Sequence, residues 1–289
     1  MVSKRFHQIF VSAATAALLV GSLGCGRDQS RGITEDQLQT PVPLMAVHLF
    51  ADPAAVRHFS RFQFVYENTA VLQELRRQEG LDQIVAGATG DEESFRRLMQ
   101  WVRDQWEPGR PDPYPPPDAR IILRDIREGA TGGFCAQYCF VLLQAISSFG
   151  APARCVTIEG HEVIEAWLQD ERRWVMFDPF YDLQVFDSEG RSLSALEIRE
   201  KNADDPYGLR MTGEHLCSES PLTYFDRYRR FAVWLRNDLV SQPMNFTDFD
   251  RYRVWFDPAG VGGEPSDSLR TPFAQDLYPE RVVAPEGAP

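Results

Sequence analysis

Positive charge is scarce in this 289-residue chain: 30 Lys and Arg stand against 42 Asp and Glu, a net charge of −12. Phosphate backbones are gripped by clustered cations, so the deficit argues against nonspecific nucleic-acid binding. It equally disfavours electrostatic adhesion to an anionic bilayer. Cysteine is scarce as well. Five cysteines in a chain of this length cannot build a disulfide scaffold, and none stands in paired C-x-x-C sets that would hold zinc. No apolar run reaches the ~20 residues of a confident membrane-spanning helix. No metal or nucleotide motif is present, and no cofactor is expected. What remains, 43% hydrophobic and 25% charged, is ordinary globular composition. It suits one large unit with appendages, or two small ones.

The first 24 residues read as a signal peptide. Lys4 and Arg5 precede a short uncharged stretch, Ile9 to Leu23, rich in small residues. The run Ser22-Leu23-Gly24-Cys25, followed by Gly26-Arg27-Asp28-Gln29, resembles a bacterial lipoprotein signal, with Ser22 in place of the usual aliphatic residue. That resemblance implies lipidation of Cys25 and a cell-envelope protein anchored extracytoplasmically through its N-terminus. The other reading is a plain secretory signal. Residues 25–45 are polar without apolar periodicity and read as a tether.

Residues 46–220 read as one domain. Asn68 caps a helix carrying Val71, Leu72 and Leu75 that ends near Gly80. A second helix spans Asp91 to Trp106, with Phe95, Leu98, Val102 and Trp106 on one stripe. Six of the 20 prolines then fall between Pro108 and Pro117, which makes a stiff, non-helical connector. Gly132 to Gly150 forms a third helix, with Cys135, Tyr138, Cys139, Leu142, Ile146 and Phe149 on a shared face. Gly132-Gly133 loosens its start and Gly150 stops it. Strands follow at Arg154–Glu159, His161–Gln169 and Arg173–Phe177, the last two forming a hairpin across Asp170-Glu171-Arg172. Alternation puts His161, Val163, Glu165 and Trp167 on one face.

Cys135, His161 and Asp178 are the candidate catalytic residues. A thiolate at the mouth of a helix faces unsatisfied N–H groups and the positive end of the dipole, which stabilise it. Such a nucleophile needs a base within reach and a group to orient that base. His161 begins one strand and Asp178 ends its antiparallel neighbour, so the two can stand side by side. Of the other histidines, His7 lies in the signal, and His48, His58 and His215 sit in segments with no neighbouring acid–strand pattern. Cys139 lies one turn deeper and reads as core. Cys155 and Cys217 are a pair that an oxidising compartment would allow to join, though spacing alone does not pair them. Glu165 suits a hydrogen-bonding or surface role.

Four motifs carry a family resemblance: Gly133-Phe134-Cys135-Ala136-Gln137-Tyr138-Cys139, Phe149-Gly150-Ala151-Pro152-Ala153-Arg154, His161-Glu162-Val163-Ile164-Glu165 and Trp174-Val175-Met176-Phe177-Asp178-Pro179. In this order they resemble the transglutaminase-like superfamily over about residues 90–182, with departures at Val163 and Phe180. The resemblance implies an α+β, papain-like fold in which a catalytic helix packs on an antiparallel sheet. It also implies cysteine-dependent hydrolysis or acyl transfer at an amide of a peptide or protein. Cys135 would be nucleophile, His161 base and acid, and Asp178 its orienting partner. The Cys135 N–H would be one oxyanion donor, with Trp106 or a loop residue as the second. The competing class is a non-catalytic envelope lipoprotein that binds a peptide or partner through the same fold.

Phe225-Asp226-Arg227-Tyr228-Arg229 recurs identically as Phe249-Asp250-Arg251-Tyr252-Arg253. Two copies are too few for a solenoid. Residues 221–257 therefore read as an aromatic-rich extension, either packing on the core or forming an aromatic wall beside the site. Residues 258–289 read as a loosely attached Pro/Gly-rich tail.

Overall fold

In the computed structural model, residues 61–213, 219–260 and 269–279 are described. The signal segment, Cys25, the tether, His48, His58, His215 and Cys217 lie outside them. Among the described residues no helix is long and apolar enough to cross a membrane.

Five helices lead into the sheet: α1 (Gln73–Gln78), α2 (Leu81–Val85), α3 (Asp91–Arg103), α4 (Ala119–Arg127) and α5 (Cys135–Ser147). A 3-10 turn, Thr69–Leu72, precedes α1, and the Asn68 side chain caps it at the Ala70 N–H. α4 was not expected from the sequence. Asp118 starts it by accepting from the Arg120 N–H, directly after the prolines.

The sheet has six strands in the order β3-β2-β1-β6-β7-β8. They are β1 (Ala153–Ile158), β2 (His161–Leu168), β3 (Arg173–Phe177), β6 (Phe231–Trp234), β7 (Arg253–Phe256) and β8 (Leu269–Thr271), while β4 (Val185–Phe186) and β5 (Arg210–Met211) pair separately. All neighbours in the large sheet are antiparallel except β7 and β8. The fold is thus α+β, with a mixed rather than purely antiparallel sheet. α6 (Ala195–Asp204), α7 (Pro221–Asp226) and α8 (Ala274–Leu277) complete the chain.

Two expectations need correction here. The region 221–257 is not an appended extension, because β6 hydrogen-bonds to the edge β1 would otherwise expose, and β7 continues the ladder. In the region from 258 the described residues are not loosely attached, since Leu269–Thr271 joins the sheet and Leu277 is fully buried.

α5 lies on the β1–β2 face with α3 and α4 against its other sides. Every residue from Ala136 to Ser147 is buried, so this helix has no solvent face at all. That explains why its apolar stripe runs into Phe140, Val141, Leu143 and Ala145: a helix apolar all round belongs inside. One hydrophobic layer, with Phe95, Leu98 and Val102 of α3, forms around α5. The other, with Val163, Trp167, Trp174 and Tyr224, fills the opposite side of the sheet.

Candidate active site

Cys135 is the first residue of α5 and is partly exposed, whereas the helix behind it is buried. The approach to it is built by close packing. A Cβ on Gly132 would meet the Arg110 carbonyl oxygen at 2.5 Å, and one on Gly133 would meet Trp106 Nε1 and Ile126 Cδ1 at 2.8 Å. These glycines therefore do not loosen the turn. They let the proline-rich segment and Trp106 lie directly on it, an arrangement closed by Gly109 N–H donating to the Gly133 carbonyl at 2.9 Å. The Gln137 side chain accepts from the Phe134 N–H at 3.1 Å, and the first turn carries no acid. Its N–H groups and dipole thus act on the Cys135 sulfur unopposed by a local carboxylate.

His161 is placed by the shortest of hairpins. Ile158 pairs with His161 across Glu159-Gly160, and Gly160 takes φ 68°, where a side chain would be strained. Asp178 follows β3 and is fixed by its own backbone, which exchanges hydrogen bonds of 2.9 and 3.0 Å with Leu183. His161 Nε2 donates to Asp178 Oδ2 at 2.8 Å, with the imidazole nearly buried and the carboxylate fully so. The other ring nitrogen, Nδ1, is left for Cys135, whose side chain is in hydrogen-bonding contact with the imidazole. The three residues singled out from sequence therefore meet.

Burial opposes the charged imidazole, but attraction to Asp178, its hydrogen bond and the Cys135 contact outweigh it, and His161 is pushed up to about 10. A group raised in the folded state stabilises it fully below its unfolded value, near 6.5, and loses that contribution as pH rises through about 10. The thermal midpoint of the parent should therefore fall between pH 7 and 10 more steeply than that of Asp178→Asn. Parallel slopes in a differential scanning series over this range would contradict the assignment.

The carboxylate has more partners than sequence suggested. Asp178 Oδ1 accepts from the Phe180 and Tyr181 N–H groups at 3.1 and 3.3 Å. Oδ2 also accepts from the Tyr224 hydroxyl at 2.8 Å, and Tyr228 Oη lies 3.0 Å from Tyr224 Oη. Tyr224 is 46 residues from Asp178 and gave no local signal. Phe180 and Tyr181 pack on the imidazole with ring centroids at 5.6 and 5.3 Å.

Trp106 is not placed as an oxyanion donor. Its indole N–H donates to the Gly133 carbonyl at 3.3 Å, and its ring stacks on Tyr138 at 4.1 Å. The Tyr114 ring, from the proline-rich segment, packs edge-on to the exposed Phe134 beside Cys135, and its hydroxyl meets the Gln137 side chain. That segment is thus part of the site's wall as well as a connector.

Cys139 is buried beneath, its thiol donating to the Glu162 carbonyl at 3.2 Å, and burial pushes it well above the usual thiol range. Cys155 is a free, buried thiol, so the suggested disulfide is absent from its end. Glu165 is wholly internal, not at the surface, and Arg154 holds it at 2.7 Å. The repeated pentapeptide packs inward in both copies: Phe225, Tyr228 and Phe249 are buried. Its arginines reach opposite sides of the histidine turn, Arg227 to the Glu159 carbonyl at 2.7 Å and Arg253 to Glu162 at 2.9 Å. Among the described residues no cluster of His, Cys, Asp or Glu could hold a metal ion.

No curated protein matches the chain. Among solved structures, a candidate cysteine protease from Cytophaga hutchinsonii is similar at 14% identity and a TM-score of 0.31, over 62% of this chain and 57% of that one. Residues 79–179 match the model of the transglutaminase-like superfamily, a span that runs from the end of α1 to the proline after Asp178 and encloses all three site residues. This stretch, with its helix-borne cysteine ahead of a histidine strand and an aspartate strand, is similar to the core of that superfamily.

Proposed function

We propose that this protein is a cysteine-dependent enzyme acting on amide bonds, with hydrolysis of a peptide-like amide as its reaction. The observation that carries the reading is the geometry at His161, one ring nitrogen on a buried carboxylate and the other on a thiol at a helix N-terminus. Imidazolium and thiolate would form an ion pair there. The Cys135 sulfur attacks the carbonyl carbon, the C–N bond breaks, and His161 gives its proton to the departing amine. Water then attacks the thioester, His161 takes its proton, and the C–S bond breaks to release the acid. The Cys135 N–H is suited to the developing oxyanion.

Transfer to an amine would need water excluded and the amine held in place, an advantage worth ~7–11 kcal/mol when orientation is favourable. A lysine amine wants an acidic seat. Glu162 and Glu219, which interact electrostatically with His161 and Tyr181, are already paired with Arg253 and Arg227, both at 2.9 Å. This favours hydrolysis.

The purified protein should be incubated with peptide pools, with and without excess primary amine, and the products weighed by mass spectrometry. Hydrolysed peptides are expected, and none with Cys135→Ala. Amine-bearing products in preference would replace hydrolysis with transfer, and product formation by Cys135→Ala would remove the cysteine from the reaction. Separately, at neutral pH Cys135 should react with iodoacetamide faster than Cys139 or Cys155, and His161→Ala should slow it.

A further inference from the structure

We propose that Tyr224, backed by Tyr228, is a positioning residue of this site: its hydroxyl fixes the Asp178 carboxylate against the His161 Nε2–H and shares its charge, so that the imidazole can still give up the proton it takes from Cys135. The role rests on the cysteine-dependent reading above and adds to it a pair of side chains lying outside the matched core, on α7 and the 3-10 turn after it.

The directions of the protons are fixed by chemistry. A carboxylate only accepts, so Tyr224 must donate to Asp178 Oδ2; its oxygen is then the acceptor for the Tyr228 O–H. Asp178 thereby receives four donors: the His161 Nε2–H and the Tyr224 hydroxyl on Oδ2, the Phe180 and Tyr181 amides on Oδ1. A fully buried carboxylate is costly unless hydrogen-bond donors share its charge. Four donors do so here, and a donor whose own oxygen is hydrogen-bonded donates more strongly. The turn from α7 into the 3-10 segment brings the Tyr228 hydroxyl to 3.0 Å from that of Tyr224.

Filling the core does not require this. Both tyrosines are wholly buried among Val163, Tyr181 and Phe225, where phenylalanine would serve the packing equally. The hydroxyls need a further reason. Burial and the nearby carboxylate push both well above the usual tyrosine range, so they remain donors at any working pH.

The charged and titratable groups around the pair are few. α5 presents Cys135 and Cys139, β2 presents Glu162 and Glu165, the segment after β3 presents Tyr181, and Arg227 with its partner Glu219 faces Tyr181 and Tyr224. Among the described residues, the Tyr224 hydroxyl, the His161 Nε2–H and the Phe180 and Tyr181 amides hydrogen-bond the carboxylate itself, and Tyr228 reaches it only through Tyr224.

The test follows the His161 Nε2–H resonance by NMR in the full chain labelled with 15N-histidine. Without the Tyr224 hydroxyl, Asp178 keeps more of its charge for the imidazolium. Tyr224→Phe should therefore raise the pH at which His161 deprotonates by about one unit, a tenfold change in proton affinity. Tyr228→Phe should move it the same way by less, and keeps the test open should Tyr224→Phe fail to fold. A merely structural role would lower the thermal midpoint and leave this titration in place. An unmoved titration in both variants, or shifts of opposite sign, overturns the proposal while leaving the cysteine reading intact if Cys135 still outpaces Cys155 toward iodoacetamide. A Cys135 no faster than Cys155 in the parent overturns the cysteine reading, and this role with it.

Discussion

Asp178→Asn should lower peptide-amide turnover about 10²- to 10⁴-fold and slow Cys135 alkylation at pH 7, with the fold retained. The size of the effect comes from how the carboxylate is pinned. Oδ1 accepts from two backbone N–H groups, so an asparagine can satisfy that corner only with its oxygen. The amide nitrogen must then occupy the place of Oδ2, where it faces the His161 Nε2–H and the Tyr224 hydroxyl. Two donors cannot face a third. His161 relieves the conflict by moving its proton to Nδ1, and it then points an N–H at a neutral thiol that it can no longer deprotonate. Steady-state kinetics on a peptide found in the mass-spectrometric screen would measure the loss. A variant within threefold of the parent would mean that Asp178 does not set the tautomer.

Arg154→Met should be the most destabilising single change in the described residues, by about 3–5 kcal/mol. Arg154 and Glu165 are both completely buried. The guanidinium places Nε and Nη2 on Glu165 Oε2 at 2.9 and 2.7 Å and Nη1 on the Leu277 carbonyl at 2.7 Å. It also lies over the Trp174 and Tyr278 rings, at 4.1 and 4.6 Å from their centroids. Methionine fills much of that volume but leaves the Glu165 carboxylate without its counter-ion in a dry interior. At roughly 2–4 °C per kcal/mol for a unit of this size, the thermal midpoint should drop by about 10 °C. The double variant Arg154→Met/Glu165→Met should recover much of the loss, because removing both charges also removes their desolvation penalty. A double variant no more stable than the single would show that packing of the arginine, and not the stranded charge, sets the cost.

The site was more legible in the sequence than its support. Cys135, His161 and Asp178 stand on elements whose signals are local: a glycine pair before a long apolar helix, a glycine turn, and two alternating strands. Those strands lie within a residue or two of where alternation puts them. α4 escaped because it is short and follows directly on prolines that ordinarily end regular structure. β6 and β7 offer four residues each, too few for a period to show, and β8 offers Leu269-Arg270-Thr271, with no strand signal at all. The Tyr224 contact with Asp178 and the Tyr278 contact with Glu165 escaped for a different reason. They span 46 and 113 residues, distances at which side-chain spacing along the chain carries no information.

The Glu165 contacts also set an order of events during synthesis. Glu165 Oε1 accepts from the Tyr278 hydroxyl, 113 residues later in the chain, and Arg154 bonds to the Leu277 carbonyl, 123 residues later. At about 5–20 residues per second, β1 and β2 leave the ribosome several seconds before the residues that complete the hydrogen bonding of their buried ion pair. The strand bearing His161 therefore reaches its final environment only when translation has passed Tyr278. A chain stopped before Leu277 lacks both hydrogen bonds and leaves the charge pair between β1 and β2 half-satisfied, so the sheet that carries His161 and the helix α8 complete one another.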